Sequence, residues 1–573
     1  MMRSIKDHVT VQGLRDGARR PQVHPALALG LVLPLLLNGC GDSSLSPPEI
    51  SPAEAPELTY SDIANNAQNV FFQQGIRQLN KTTLPNGQSE RGRAKNVILF
   101  VGDGMGVSTV TASRIRAGEL AGNVWSPDSR GLDGPESYSL AFEHLPFAGL
   151  IKTYNTDSQV PDSAGTMVAM ASGVKTRRGV LGYDETVRYG DCTSGHPGNA
   201  LMTSLELAEI AGLATGIVST ARVTHATPAA NYAKAVSRQF EDDSAVPPEG
   251  CEGVEDIASQ LVSFTERMRG RGYEVDGPEL VLGGGLRHFR PAEAGGRRRD
   301  GRDLIAEWQD RYRDAGGVFL EAARGLSEVD PEQSGPVLGL FNDSHMHYEL
   351  DRDDKEPSLS TMTAFAIDKL AQSASGYFLQ VEAGRIDHAH HAGNAAVALA
   401  ETVEFSRAVQ IALDKVDLAE TLIIVTADHS HVMTIGGYVA RGNPVLGIAR
   451  SVDKGEPILA ADDRPFTTLT YANGGGFCDQ GSQTNANATE GCLVHPGRAD
   501  LSNVDTQAPG FHQEALVPLG HGRETHGGED VPVYAGGPGA RLLTGTLEQT
   551  HIFHVTDYAL DLVTKAERAA AGP

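Results

Sequence analysis

Positive charge is scarce in this chain. Its 573 residues carry 48 Lys and Arg against 73 Asp and Glu, a formal net charge of −25. A nucleic-acid backbone needs a basic face, so this balance argues against nucleic acid as a partner. A small phosphorylated ligand stays open, because a cation or metal can reverse the field locally inside a cleft. Long apolar runs are short as well: Ala26 to Leu37 spans twelve residues, too few for an ordinary membrane crossing. There are only five Cys and no CxxC spacing, which removes the usual structural-zinc and redox motifs. No GxGxxG dinucleotide loop and no internal repeat occur. What remains is 40% hydrophobic and 21% charged, a globular composition with enough chain for one large domain with insertions or for two to four domains.

Residues 1–39 read as a signal peptide. Arg3, Lys6, Arg15, Arg19 and Arg20 outnumber Asp7 and Asp16 ahead of the apolar stretch. Asn38-Gly39-Cys40 then resembles a bacterial lipoprotein processing site, which would make Cys40 a lipidated first residue in the periplasm or cell envelope. Asn38 departs from the small apolar residue expected there, and plain secretion is the alternative. Residues 40–94 form a spacer and N-terminal extension, with a Ser-, Pro- and Glu-rich segment at 41–60. Export permits disulfides: setting Cys40 aside leaves Cys192, Cys251, Cys478 and Cys492, which allow three pairings. Sequence proximity favours Cys478–Cys492, leaving Cys192–Cys251.

The densest chemistry lies in Val381-Glu382-Ala383-Gly384-Arg385-Ile386-Asp387-His388-Ala389-His390-His391. An apolar run from Tyr377 predicts a buried strand before it, and a periodic segment from about 394 to 416 predicts a helix after it. If the turn is helical, Asp387 and His391 lie four apart on one face and can share a metal. Two other buried-strand runs end the same way. Asn96 to Val101 runs into Gly102-Asp103-Gly104-Met105-Gly106, and Thr421 to Thr426 runs into Ala427-Asp428-His429-Ser430-His431. In an open sheet with crossover helices such ends collect along one edge. Mixed His and carboxylate ligands suit zinc and all-oxygen sets suit magnesium, and these are too many for one ion.

Between these strands, Pro161-Asp162-Ser163 opens a helix running to Ser172 and closed by Gly173. Asp162 or Ser163 is the N-cap, and the free N–H groups there favour a phosphate. Beside metals, the Ser163 hydroxyl becomes a candidate nucleophile. A strand over 213–219 leads to His225-Ala226-Thr227-Pro228, with Thr227 as helix cap, and then to Arg238. Residues 240–360 read as a peripheral insertion and solvated face, Arg297-Arg298-Arg299 included. Residues from about 435 to 520 change to Gly, Asn and Thr and read as an inserted lobe. Glu524-Thr525-His526 brings the chain back, with a C-terminal helix over about 551–565.

The strings around Asp103, Asp162-Ser163-Ala164-Gly165-Thr166, Glu382 to His388 and Asp428-His429 resemble those of alkaline phosphatases. They stand in that family's order across about residues 95 to 565. The resemblance implies one zinc on Asp387, His391 and His526, and a second on Asp103, Asp428, His429 and the Ser163 oxygen. It implies magnesium on Asp103, Thr227 and Glu382, and a phosphate-binding Arg238. His225 and His388 stand where some bacterial members have Asp and Lys, as in animal-type enzymes. The implied fold is α/β, a three-layer α/β/α sandwich around a largely parallel sheet, with a catalytic domain over 95–570 and residues 435–520 as a crown-like lobe. The implied activity is hydrolysis of small phosphate monoesters through a phosphoserine, by a homodimer. A phosphodiesterase or sulfatase on the same scaffold is the nearest rival, although Ser163-Ala164-Gly165-Thr166-Met167 lacks the sulfatase Cys/Ser-x-Pro-x-Arg setting. A non-catalytic phosphate- or metal-binding lipoprotein is the rival from another class.

Overall fold

A computed structural model of the chain describes residues 64–81, 91–126, 133–475, 498–520 and 522–571. The signal segment, Cys40, the 41–60 spacer, Cys478 and Cys492 lie outside the described residues. Ten strands form the main sheet: β1 (Asn96–Gly102), β2 (Phe147–Lys152), β3 (Ala214–Arg222), β4 (Leu280–Gly284), β5 (Val318–Leu320), β6 (Val337–Leu340), β7 (Tyr377–Ala383), β8 (Thr421–Ala427), β14 (Val531–Gly536) and β15 (Gly545–Glu548). The shorter strands are β9 (Ser430–His431), β10 (Met433–Ile435), β11 (Leu469–Gly474), β12 (Ala515–Pro518) and β13 (His526–Gly527).

The main sheet runs β15-β2-β14-β8-β1-β7-β3-β4-β6-β5. Every pairing in it is parallel except those of β14, which lies antiparallel to both β2 and β8. All seven residues of β1, of β7 and of β8 are buried. Their largely apolar runs are what a parallel strand needs when helices cover both faces. Helices Val107–Leu120, Leu359–Leu370 and Ala395–Lys415 pack on one another as one layer. Helices Val70–Lys81, Ser163–Ser172, Ser204–Ile210, His551–Leu560 and Leu562–Ala570 pack together as the other. The fold is the expected α/β/α sandwich.

Register positions the site. Gly102 of β1 stands level with Ala383 of β7 and with Ala427 of β8. Asp103, Gly384 and Asp428 therefore leave the sheet side by side, at the carboxyl edge where ligands collect in open α/β sheets. Glu382 is level with Ser219 of β3, which brings the segment after β3 to the same edge. β10, β11 and β12 build a separate three-stranded sheet within the region read as an inserted lobe.

Three expectations change. Residues 240–360 are not merely a peripheral, solvated insertion: β4, β6 and β5 complete one flank of the main sheet. Arg298 is fully buried, its guanidinium 2.9 Å from Asp256, which also caps helix Ile257–Val262. A buried guanidinium needs such partners, and three consecutive arginines conceal which one has them. The C-terminal segment is two helices, split by Asp561 in a left-handed conformation (φ 52°). Cys192 and Cys251 are disulfide-bonded, with Cα atoms 5.2 Å apart, matching the pairing left by sequence proximity.

Candidate metal and phosphate site

Each strand end delivers its side chains through a short local device. After β1 the chain turns at Gly104 (φ +72°), and a β-carbon there would collide with the His431 ring and crowd the Asp387 backbone. Glycine alone permits that approach. After β7, helix Arg385–His391 puts Asp387 and His391 on one face. Asp162 caps helix Ser163–Ser172 by accepting from the Gly165 N–H, and Gly173 (φ 74°) closes it. Ser163 is thus the first residue of that helix. The next helix, Ala226–Ala229, begins two residues earlier than expected: His225 is its N-cap and Thr227 lies inside it.

Ser163 meets one group of ligands. Its Oγ is 3.1 Å from His429 Nε2 and 3.4 Å from Asp103 Oδ1. His429 Nε2 is in turn 3.3 Å from Asp103 Oδ1 and 3.4 Å from Asp428 Oδ2. Burial first, and then the neighbouring carboxylates, push Asp103 well above the ordinary range. Burial and Asp387 likewise raise Asp428. So many buried acids side by side call for compensating positive charge.

A second group holds Asp387, His391 and His526. His391 Nδ1 donates to the Glu524 carbonyl (2.9 Å) and His526 Nδ1 to the Pro161 carbonyl (2.7 Å). A carbonyl cannot donate, so these bonds place a proton on each Nδ1 and turn each Nε2 inward as the ring's available ligand atom. Those two Nε2 atoms face each other at 3.0 Å, with Asp387 Oδ1 3.4 Å from His391 and 3.2 Å from His526. Two ring nitrogens and a carboxylate oxygen converging this way form a cluster that a cation fits. Two imidazoles and a carboxylate are a zinc donor set. The rings of His429 and His526 stack at 3.7 Å, so the two groups are contiguous.

The third group is made of oxygen. Asp103 Oδ2, Thr227 Oγ1 and Glu382 Oε1 are buried polar atoms without hydrogen-bond partners. Donor atoms of Asp103, Glu382 and His225 lie within 4.8 Å of one another. Burial is the main reason that Glu382 is pushed up to about 8, despite a hydrogen bond from Ser219. Orphaned buried oxygens are costly, and a hard divalent cation satisfies all of them.

Arg238 is held by Asp162 Oδ2 (3.1 Å) and by His225 Nε2 (2.8 Å). The His388 ring lies 5.4 Å from that of His225. Burial and nearby arginines hold both imidazoles well below their ordinary pKa, hence neutral. Ser163, Arg238, His225, Asp387, His391 and His526 all line one cavity of about 1200 Å³. The candidate catalytic, metal and near-site residues singled out from the sequence therefore gather at the same edge of the sheet.

Sequence reasoning missed three neighbours. His431 Nε2 lies 2.7 Å from Asp387 Oδ1, and its Nδ1 contacts Glu524 Oε1. The alternation of His429 and His431 after a strand was a readable signal for the first of these. Glu524 had its signal in standing two residues before His526. His345, whose ring is 4.1 Å from His388, comes from the region read as peripheral, and nothing local marked it.

The family model described as alkaline phosphatase matches residues 94–562. The chain is 40% identical over 483 residues to the human tissue-nonspecific alkaline phosphatase, covering 81% of this chain and 83% of that protein. It is 42% identical over 482 residues to the chicken counterpart, covering 81% and 84%. Among solved structures, Thermus thermophilus alkaline phosphatase aligns over 86% of this chain and 98% of its own, at 26% identity and a TM-score of 0.56. The chain belongs to the alkaline phosphatase family, and it is a metal-binding hydrolase of phosphate monoesters.

Proposed function

We propose that Ser163 is the nucleophile of a two-step phosphomonoester hydrolysis and that Arg238 binds the phosphoryl group. The observation that carries this reading is the position of the Ser163 hydroxyl: first residue of a helix, 3.1 Å from His429 Nε2, in the cavity that Arg238 also lines. Asp387, His391 and His526 would hold one zinc, Asp103, Asp428, His429 and the Ser163 oxygen a second, and Asp103, Thr227 and Glu382 a magnesium. Bound there, such cations lower the barrier to serine deprotonation and offset charge on the attacking and leaving oxygens. Ser163 Oγ attacks phosphorus, the ester P–O bond breaks, and the alcohol leaves with a proton. Water then cleaves the Oγ–P bond, releasing inorganic phosphate and restoring the serine. Arg238 offers a planar fork to two non-bridging oxygens, and Asp162 ties that fork to the helix opened by Ser163.

Turnover of nitrophenyl monoester, diester and sulfate tests the reaction class. The monoester is expected to exceed the others by several orders of magnitude, and comparable diester or sulfate turnover would reverse the assignment. Arg238→Ala removes two charge-assisted hydrogen bonds of about 1.5–3 kcal/mol each. It is expected to raise the inhibition constant of inorganic phosphate about 100-fold or more, with Arg238→Lys restoring only part. Unchanged phosphate inhibition contradicts the role.

The remaining readings concern setting. Export with a lipid anchor at Cys40 fits the N-terminal pattern of the sequence. A homodimer that pairs near the lobe fits the exposure there of Tyr438, Leu459, Leu516 and Val517.

A further inference from the structure

We infer that Glu524 is the positioning residue for the half-site of Asp387, His391 and His526, acting on Asp387 through His431. The inference rests on the reading of that trio as a metal site and names what orders it. Glu524 reaches all three members. Its main chain is paired with His391 in both directions: its N–H donates to the His391 carbonyl (3.1 Å) and its carbonyl accepts from His391 Nδ1 (2.9 Å). Its carboxylate Oε1 forms an ion-pair contact with His431 Nδ1, and His431 Nε2 donates to Asp387 Oδ1 at 2.7 Å. Two residues on, His526 enters β13, whose partner strand β9 sets His526 level with His431.

The residue between them is pinned from the lobe. Thr525 N–H donates to Asn473 Oδ1 and Asn473 Nδ2 donates to Thr525 Oγ1, both at 3.0 Å. Asn473 belongs to β11. Glu524 is only 2% exposed and its Oε2 has no hydrogen-bond partner. A carboxylate this buried is costly unless it has a task. The task visible here is to face His431 Nδ1 from the far side of the ring, which turns Nε2 onto Asp387 and fixes the carboxylate's orientation. Outer partners of this kind govern how tightly a metal is held, with losses of about 10- to 100-fold when they are removed. The lobe strand thereby becomes part of the support of a metal half-site through Asn473, Thr525 and Glu524.

The test compares the full-length protein with Glu524→Gln, His431→Gln and the double variant. Zinc per chain is measured after equilibration with graded chelator, and the visible spectrum of the cobalt-substituted protein reports ligand geometry without turnover. Glu524→Gln is expected to release one zinc about 10- to 100-fold more readily and to shift the cobalt bands. His431→Gln is expected to do the same, and the double variant to be no worse than either single, because one acts through the other. Wild-type retention and spectrum in Glu524→Gln, or additive losses in the double, overturn the inference. Should Glu524→Gln fail to fold, His431→Gln retaining metal as wild type overturns it equally. A wild-type protein that binds no zinc overturns the metal reading itself, a separate failure.

Discussion

Ser163→Ala is expected to lower kcat by about four orders of magnitude or more, about 5 kcal/mol of lost transition-state stabilisation. The hydroxyl forms the covalent intermediate, and no other described serine or threonine is placed with both His429 and Asp103 at hydrogen-bonding distance. Folding is expected to be unaffected, because Asp162 and not Ser163 caps the helix. Alanine is also a good residue for a first helical turn. Inorganic phosphate is expected to inhibit or bind within a few-fold of wild type, since Arg238 and its partners Asp162 and His225 are untouched. The variant separates reaction from recognition. Acid quench of wild type turning over labelled monoester is expected to trap label on the protein, and the variant to trap none. A folded, metal-loaded Ser163→Ala enzyme with near wild-type turnover and trapped label places the nucleophile elsewhere.

The site was more legible in the sequence than the fold around it, for a physical reason. β1, β7 and β8 are central and covered on both faces, so each is a mostly apolar run, broken in β7 by Gln380 and Glu382, that gives way to carboxylate or imidazole. Asp103, Asp387 and Asp428 follow from that contrast alone. The flank was not legible. β5 and β6 have three and four residues, too short for a period to emerge, and they lie among charged segments that look solvated. The same region hides Arg298, whose burial depends on Asp256 some forty residues away, and His345, which joins His225 and His388 only through the sheet. β14 shows a third limit: Val531–Gly536 reads plainly as a strand, but nothing in it declares that it alone runs against its neighbours. Local pattern reveals burial, and direction belongs to the connections.

Stripping divalent cations is expected to abolish turnover and to make stability newly dependent on pH. Chelation at neutral pH should leave under about 1% of activity, with zinc restoring most of it and magnesium alone little, since the trio of Asp387, His391 and His526 is a nitrogen-rich donor set. The stability change follows from the buried groups left behind. Burial holds the Glu382 carboxyl up to about 8 and Asp103 well above the ordinary range. His431, opposed by burial but held by Glu524 and Asp387, is pushed up to about 10. All three bind protons in the folded chain at pH values where the unfolded chain has released them. Such groups stabilise fully below their unfolded pKa and lose that contribution as pH rises through the folded value. The buried His391 works the other way, since its pKa falls to about 3, but its effect is complete above the ordinary histidine range near 6.5. From about pH 6.5 to 10 the shifts of Glu382 and His431 therefore act in one direction, and the upward shift of Asp103 has the same sign. The stripped protein is expected to lose several degrees of Tm across that interval. The loaded protein is expected to lose much less, because cations on the carboxylates favour the ionised folded state and stabilise it by mass action. Parallel melting curves for the two forms from pH 6.5 to 10 would show that Asp103 and Glu382 do not face a cation site.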